Sequence, residues 1–384
     1  MYTKEITYAG IIPLVGGMLY GAEKALNKKP EYILSYKPFR ANDDLYLNYH
    51  KNRDVNYLLL DDDRQFLHAD TDIVVALCPC AGLSQLNCSK SRGANAPQND
   101  WMYNSTEYVL SRVQPKVLIG ENAPALYDGK HGVDVLNKLI EIGKKNGYVF
   151  STVKTNSILH GVPQNRKRSF YYFWKYDTCP ILDYSNVITP TLTEYLSNAS
   201  YDKSTDKEQE TLLNSYEYRF LFNKNGLNWR SLIDKDSNKS LLQIIIGNYG
   251  LDEYIKFLEE TSSEEKYIAK IKYVNNKLLA GLNFRDWTPY VTSDHTATLT
   301  GARTEAIHPT LDRLLTYREL MYLMGLPDDM QVPDKKDIAK LFQNVPSNTS
   351  AYWINEAVEV IKGNRQFSSN SFLKQNNIKK VIEV

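Results

Sequence analysis

Short apolar runs alternate with helical segments from the N-terminus to about Trp174, and this alternation limits the possible folds most. It is typical of a parallel sheet with helices packed on both faces. We therefore predict an α/β fold built on a doubly wound sheet. The predicted strands are residues 5–9, 32–36, 56–60, 72–77, 116–120, 149–155 and 169–173, and the predicted helices are residues 18–26, 43–51, 100–113 and 133–145.

The pattern changes after about Tyr176. Residues 176–292 show scattered strand patterns and polar connectors, and helical periodicity returns at residues 316–324, 336–342 and 350–362. We predict a first domain at residues 1–175, a second, smaller domain at residues 176–330, and a C-terminal segment at residues 331–384 that returns to the first domain.

Composition restricts the protein's environment and its partners. The net charge of +1 neither supports nor excludes nucleic acid, which would need a local basic face. Four cysteines in 384 residues do not form a disulfide framework, so we expect a reducing, cytoplasmic compartment. No stretch approaches the roughly 18 uncharged apolar residues of a membrane span. We expect no membrane association.

Two polar signatures follow predicted strands. Pro79-Cys80 comes after the strand at residues 72–77, and Glu121-Asn122 ends the strand that begins at residue 116. Ligands bind at the carboxyl edge of such sheets. The proline fixes the backbone beside the cysteine, and a buried glutamate needs a partner or a substrate. The two signatures outline a covalent active site.

A third signature precedes the predicted strand at residues 169–173. It contains Gln164, Arg166 and Arg168. Residues at i and i+2 of an extended segment lie on the same side. The two arginines can therefore point into the same cleft as Cys80 and Glu121.

In this order the signatures resemble the motif series of DNA cytosine C5-methyltransferases. Residues 8–10 and 15–23 are similar to that family's glycine-rich cofactor loop, and residues 315–319, 325–328 and 343–346 are similar to its late motifs. The resemblance leaves out residues 176–292, where the family has its variable target-recognition domain. It implies a Rossmann-like methyltransferase sheet, with residues 1–175 as the catalytic cofactor-binding domain and residues 176–330 as the target-recognition domain.

The resemblance also implies a mechanism. The Cys80 thiolate adds to C6 of cytosine, and the resulting enamine attacks an electrophilic methyl group through C5. Glu121, with a pKa raised by burial, donates to N3 and accepts from the exocyclic amine. Arg168 binds O2, and Arg166 and Gln164 brace the loop that carries Cys80.

This chemistry requires both faces of the base, so the cytosine must flip out of double-stranded DNA. Ser84 lies in a long polar stretch, residues 82–99, that resembles the family's mobile catalytic loop. We expect a monomer in the cytoplasm of a bacterial or phage-infected cell.

A glycine-rich turn between a strand and a helix lets the backbone approach a ligand closely. The family places S-adenosylmethionine there. Asp62 would contact the adenine, and Pro79 and Met102 would form apolar walls. The full set of cofactor candidates is Tyr8, Ala9, Gly10, Gly16, Gly17, Asp62, Pro79, Met102 and Asn344.

Two features depart from the family pattern. Residues 11–14 look inserted in the glycine-rich loop, and the acid that normally holds the ribose is absent, because its place falls near Arg40. Either Asp43 or Asp44 substitutes after a loop shift, or the pocket is more basic than usual. We favour the loop shift. A basic pocket would suit a donor with an extra carboxylate, such as carboxy-S-adenosylmethionine.

Four alternatives stay open. They are a methyltransferase acting on cytosine C5 of transfer RNA, transfer of a carboxymethyl group, a catalytically silent DNA-binding protein, and a zinc cluster of Cys78, Cys80 and Cys88. Zinc is disfavoured because paired spacing and a nearby histidine are missing, so we expect no metal. We interpret His160 as a loop residue whose ring bonds the backbone.

Overall fold

The computed structural model describes residues 5–49, 55–62, 70–78, 82–83, 93, 95–130, 132–184, 186–199, 205–227, 239–261, 264–282, 284, 286–301, 305–332 and 335–378. The chain divides into two compact units. Unit 1 consists of Met1–Thr189 and Leu323–Val384, and unit 2 is Pro190–Tyr322.

An eight-stranded sheet forms the centre of unit 1. The strands of this unit are β1 (Tyr8–Ile11), β2 (Tyr32–Ser35), β3 (Asn56–Leu59), β4 (Ile73–Ala76), β5 (Val117–Asn122), β6 (Val149–Asn156), β7 (Gln164–Asn165), β8 (Lys167–Trp174) and β10 (Phe372–Asn376), and unit 2 contains β9 (Thr296–Ala297). The order in the large sheet is β10-β6-β8-β5-β4-β1-β2-β3. Only β8 runs antiparallel to its neighbours in this sheet.

The central strands are buried along their whole length, as β1, β2 and β4 show. Parallel strands covered on both faces are continuously apolar, which explains runs such as residues 73–76. All seven predicted strands are present, with ends shifted by at most about three residues. The predicted α/β fold with a doubly wound sheet is confirmed.

Helices cover this sheet and complete unit 1. They are α1 (Gly17–Leu26), α2 (Arg40–Tyr49), α3 (Gln98–Tyr108), α4 (Ala125–Asp128), α5 (Gly132–Lys145), α13 (Lys335–Leu341) and α14 (Ser347–Ile361). The C-terminal helix α14 packs closely on α1. Ser350 Oγ of α14 donates to the carbonyl oxygen of Gly17 at 2.7 Å, and a Cβ atom on Gly21 would lie 2.1 Å from that same Oγ.

The boundaries of the units differ from the predicted ones at residues 175 and 330. The chain after Tyr176 still belongs to unit 1, because Cys179 N donates to Asn370 O and Ile181 N donates to Gln366 O, each at 2.8 Å. The partners of both amides lie just before β10. This strand was not predicted; it pairs in parallel with β6 at the edge of the sheet.

Unit 2 is mainly helical in its described part, where we had expected scattered strands. Its helices are α6 (Leu192–Leu196), α7 (Thr205–Leu213), α8 (Tyr216–Tyr218), α9 (Leu241–Asn248), α10 (Leu251–Thr261), α11 (Glu265–Leu279) and α12 (Tyr317–Leu323), the last of which ends at the boundary with unit 1. Residues of α7, α9, α10 and α11 contribute to a hydrophobic core of this unit, and Tyr216 and Tyr218 of α8 pack against it.

Candidate active site at the carboxyl edge of the sheet

Three strand ends meet at one edge of the sheet in unit 1. The parallel strands β4 and β5 are in register with Ala76 opposite Gly120, so their carboxyl ends lie side by side. The antiparallel strand β8 begins at the same edge, because Ser169 lies opposite Asn122. The topology therefore brings Glu121, the last but one residue of β5, next to the first residues of β8.

Glu121 and Arg168 form an ion pair at this edge, in which Glu121 is buried and Arg168 is partly exposed. Glu121 is 4% exposed, and its Oε1 atom lies 2.7 Å from Arg168 Nε. Burial raises the pKa of the Glu121 carboxyl, and the charges of Arg168 and Arg166 oppose that rise. A carboxyl in such surroundings can hold a proton and donate it to a ligand.

Arg166 is fully buried, and its described hydrogen bonds go to the turn before α14. Its Nη2 atom donates to the carbonyl oxygen of Phe342 at 2.7 Å and to that of Asn344. Arg166 therefore braces the turn before α14. The predicted contact with the loop that carries Cys80 stays a prediction.

Gln164 is also fully buried. Its Nε2 atom lies 3.9 Å from the sulfur of Met324. Its Oε1 atom has no hydrogen-bond partner among the described residues. A buried carbonyl oxygen of this kind is able to accept a hydrogen bond from a neighbouring segment.

Pro79, Cys80 and Ser84 lie outside the described residues. The residue before Pro79 is described: Cys78 is 3% exposed, and its sulfur lies 3.8 Å from the Tyr171 hydroxyl. Burial raises the pKa of the Cys78 thiol to about 12. Since the thiolate is the nucleophile, Cys78 is unsuited to that role at neutral pH.

The glycine-rich loop joins β1 to α1. Gly16 has φ of 92° just before α1, a conformation that favours glycine. A Cβ atom on Gly17 would lie 2.2 Å from Asn344 Oδ1. The start of α1 and the turn that contains Asn344 are therefore in direct contact.

Asn344 has an unused polar atom beside this loop. Its Oδ1 accepts from the amide of Val345 at 2.8 Å, whereas its Nδ2 is buried and has no hydrogen-bond partner within the described part of the chain. Met102 is fully buried, and its sulfur lies 3.8 Å from Asn122 Nδ2. An orphaned amide donor beside a close-packed glycine turn fits a ligand with acceptor atoms, such as S-adenosylmethionine.

The structure places three other cofactor candidates inside β1. Tyr8 begins this strand, and its hydroxyl donates to Lys28 O at 2.9 Å. Ala9 and Gly10 pair with Val74 and Val75 of β4. The predicted strand ended at Ala9, whereas β1 ends at Ile11. Tyr8 therefore lies at the amino end of β1, away from the edge where the loop begins.

Asp62 is paired at the ends of β2 and β3. Its Oδ1 atom lies 2.5 Å from Lys37 Nζ, and the Lys37 amide donates to Asp61 Oδ2 at 2.6 Å. Asp62 is 57% exposed in its side chain, so it is accessible to a ligand. Its predicted contact with adenine is untested.

Two candidate residues near the expected ribose-binding position are engaged in contacts within unit 1. Arg40 opens α2 and pairs with Asp44, with Nε and Oδ1 3.0 Å apart. Asp43 is fully buried and accepts three hydrogen bonds within unit 1. From the sequence, Asp43 was a candidate only for binding the ribose. The signal for its burial is the i, i+3 spacing of Asp43 and Tyr46, which places both residues on the same face of α2.

The hydrogen-bond partner of His160 differs from the one that we expected. Its ring is buried, and Nε2 lies 2.7 Å from Thr155 Oγ1, so its partner is a side chain. The described residues contain no group of three or more His, Cys, Asp or Glu that could hold a metal ion. No helix in the described ranges is long and apolar enough to cross a membrane.

Comparison with known proteins identifies the family. The model of the C-5 cytosine-specific DNA methylase family matches residues 15–347. The chain belongs to this family. The methyltransferase is also 23% identical over 346 residues to the Type II methyltransferase M1.HphI of Haemophilus parahaemolyticus, covering 88% of this chain and 82% of that protein.

Solved structures show the same fold. The Entamoeba histolytica methyltransferase EhMeth has a TM-score of 0.58 at 12% identity and covers 94% of this chain and 99% of its own. A putative DNA modification methyltransferase from an Escherichia coli prophage has a TM-score of 0.56 at 15% identity and covers 93% and 99%. The predicted family, the Rossmann-like fold and the assignment as a DNA cytosine methyltransferase are confirmed.

Proposed function

We propose that this methyltransferase transfers a methyl group from S-adenosylmethionine to C5 of a flipped cytosine in double-stranded DNA, through a transient bond between Cys80 and C6. The observation that carries the proposal is the ion pair between the buried Glu121 and the partly exposed Arg168 at the carboxyl ends of β4 and β5. Family membership supports the base and the reaction class. The Glu121–Arg168 pair supports the contacts that we propose between the enzyme and the cytosine base.

Glu121 would hold a proton and donate it to cytosine N3. The raised pKa of this carboxyl favours the protonated form, and donation to N3 withdraws electrons from C6. Thymine carries its own hydrogen on N3, so it would be rejected. Arg168 uses Nε for Glu121 and Nη1 for the carbonyl oxygen of Lys167. We assign its Nη2 to cytosine O2.

Cys80 would attack as the thiolate. Its sulfur bonds to C6, and the ring electrons then form a bond from C5 to the incoming methyl group. S-adenosylmethionine supplies that methyl group as an electrophile and leaves as S-adenosylhomocysteine. Loss of the C5 proton to a base, return of the N3 proton to Glu121 and expulsion of the Cys80 thiolate restore the aromatic ring, so the enzyme is regenerated.

The glycine-rich loop and the turn before α14 would hold the methyl donor. Gly16 and Gly17 bring the backbone close to the ligand, and Asn344 Nδ2 supplies a buried donor. Met102 supplies an apolar wall. Lys37 and Arg40 are each paired with an aspartate, so no described cation of this segment favours carboxy-S-adenosylmethionine.

Unit 2 would recognise the target sequence. It corresponds to the region where the family places its variable recognition domain, and its own hydrophobic core supports independent packing. Contacts made there would repay the cost of base flipping, on the order of a few kcal/mol.

A trapping experiment tests the proposal. Duplex DNA that contains 5-fluorocytosine is incubated with the enzyme and S-adenosylmethionine. Fluorine cannot leave as a proton does, so a stable adduct is expected between the DNA and Cys80. The adduct is located by peptide mass spectrometry, with Cys80→Ser as the negative variant and Cys78→Ser as the matched control that still reacts.

Other outcomes identify the rival functions. Adduct formation with transfer RNA but not with duplex DNA would indicate the RNA activity, and DNA binding without any adduct would indicate a silent protein. A mass increase of the treated nucleoside that exceeds one methyl group would indicate a larger transferred group. An adduct that persists in Cys80→Ser would refute the assignment of the nucleophile.

A further inference from the structure

Asp43 connects three segments of unit 1 through one carboxylate. It lies in the first turn of α2 and is 0% exposed. Its Oδ1 accepts from the backbone amide of Leu14 at 2.9 Å. Its Oδ2 accepts from Ser35 Oγ at 2.5 Å and from the Tyr57 hydroxyl at 2.8 Å. The carboxylate thereby ties the β1–α1 loop to β2 and β3.

The loop that Asp43 holds is unusual in its backbone. Ile12 has φ of 52° and Leu14 has φ of 50°. Non-glycine residues adopt this left-handed conformation only where the surroundings enforce it. The Ile12 amide is held by the carbonyl oxygen of Leu34 at 2.8 Å, and the Leu14 amide is held by Asp43. Two bonds therefore stabilise the strained part of the loop.

The same loop leads directly into Gly16 and Gly17. The Gly16 amide donates to the carbonyl oxygen of Pro13 at 2.8 Å, so the conformation at residues 12–14 determines where the start of α1 lies. This start faces Asn344. A shift at Leu14 would therefore displace the turn that faces the orphaned amide.

Direct contact between Asp43 and a ligand does not fit this arrangement. A carboxylate has about four acceptor positions, and three of them are used within the protein. The side chain is closed to solvent. Asp43 thus holds the loop through contacts inside the protein. An acid that binds the ribose would instead have to present its carboxylate to the pocket.

We propose that Asp43 is a positioning residue that holds the β1–α1 loop in the conformation that binds S-adenosylmethionine. This inference depends on the proposed function, since it assumes that the loop binds the methyl donor. Asp43 is the acidic residue nearest to the position where a ribose-binding acid is expected. In this protein it maintains the conformation of the β1–α1 loop.

The test measures binding of S-adenosylhomocysteine by isothermal titration calorimetry to the full-length protein without DNA. Asp43→Leu removes the acceptor of the Leu14 amide, and we expect its dissociation constant to rise at least about tenfold. Asp43→Asn keeps an oxygen acceptor for that amide and should recover most of the affinity. Asp134→Leu and Asp134→Asn, on an exposed residue in the first turn of α5, are the matched controls and should bind like wild type.

A second ligand separates positioning from direct contact. An analogue of S-adenosylhomocysteine without the ribose hydroxyls should show the same relative loss in Asp43→Leu. A loss that disappears with this analogue would show that Asp43 binds the ribose, and unchanged affinity of folded Asp43→Leu would overturn the inference as well. Failure of the wild-type protein to bind S-adenosylhomocysteine would instead count against the proposed function.

Kinetics and hydrogen exchange provide the remaining readouts. The KM for S-adenosylmethionine should rise in Asp43→Leu by a larger factor than kcat falls, with the KM for DNA unchanged, and Asp43→Asn should stay close to wild type. If Asp43→Leu does not fold, exchange of the Leu14 amide decides the question. This amide should be protected in the wild-type protein without ligand and remain largely protected in Asp43→Asn, which keeps its acceptor, and an unprotected amide in wild type would refute the inference.

Discussion

Glu121 of unit 1 and Glu217 of unit 2 are both buried glutamates, and they differ in their partners. Glu121 of unit 1 is 4% exposed and Glu217 of unit 2 is 3% exposed, and burial raises the pKa of both carboxyls. Glu121 is paired with Arg168 at a strand end. Glu217 Oε1 accepts from the hydroxyls of Tyr254 and Tyr267.

The difference shows that burial of an acid does not by itself indicate catalysis. The tyrosine partners of Glu217 belong to the packed core of unit 2 and its margin, so that carboxyl satisfies polar groups inside a helical unit. Glu121 lies where parallel strands end, the position at which such sheets bind ligands. We expect the two residues to respond differently to substitution.

The largest effect is expected from Glu121→Gln. An amide cannot donate the proton to cytosine N3, so kcat should fall at least about 100-fold, while DNA affinity and thermal stability change little. Single-turnover methylation of duplex DNA and a DNA-binding titration measure the two quantities. Methylation at a near-normal rate would remove the contrast between the two glutamates.

Substitution of Glu217 should affect stability instead. Glu217→Leu leaves the buried Tyr254 hydroxyl and the partly buried Tyr267 hydroxyl without their acceptor, which should lower the free energy of unfolding by about 3 kcal/mol. Glu217→Gln retains the accepting oxygen and should cost much less. Urea unfolding measures both variants, and kcat at low temperature should stay near wild type. A large loss of kcat in the stable Glu217→Gln variant would contradict a structural role.

The smallest effect concerns a histidine in unit 1. Burial lowers the pKa of His160 to about 3, so the folded protein disfavours the protonated ring. The unfolded chain binds that proton below about pH 6.5, and stability should therefore fall as the pH decreases from there, by up to about 1.4 kcal/mol per pH unit.

Urea midpoints between pH 7.5 and 5 test this expectation. His160→Gln should show a shallower decline than wild type. His308 of unit 2, whose pKa burial lowers to about 4, should still contribute to the decline in that variant. An identical slope in wild type and His160→Gln would show that His160 is not the titrating group.

The strands of unit 1 were predictable from sequence because each is a local apolar run, as residues 73–76 illustrate. Strand β10 was not, since its edge sequence is largely polar and partly exposed. Helix α12 was predicted from the periodicity at residues 316–324, but the helices of unit 2 that precede it were missed for a related reason. Apolar runs such as residues 241–246 give no clear period, and they form the helix α9 because the surrounding helices bury it.

The sequence by itself determined the family, the doubly wound sheet and the placement of Glu121 at a strand end, because these depend on local patterns and short motifs. Only the tertiary structure decided which atoms those side chains contact. Arg166 reaches a carbonyl oxygen 176 residues away, and Asp43 binds an amide 29 residues away. Such contacts depend on how strands and helices pack, and local periodicity carries no information about packing between distant segments.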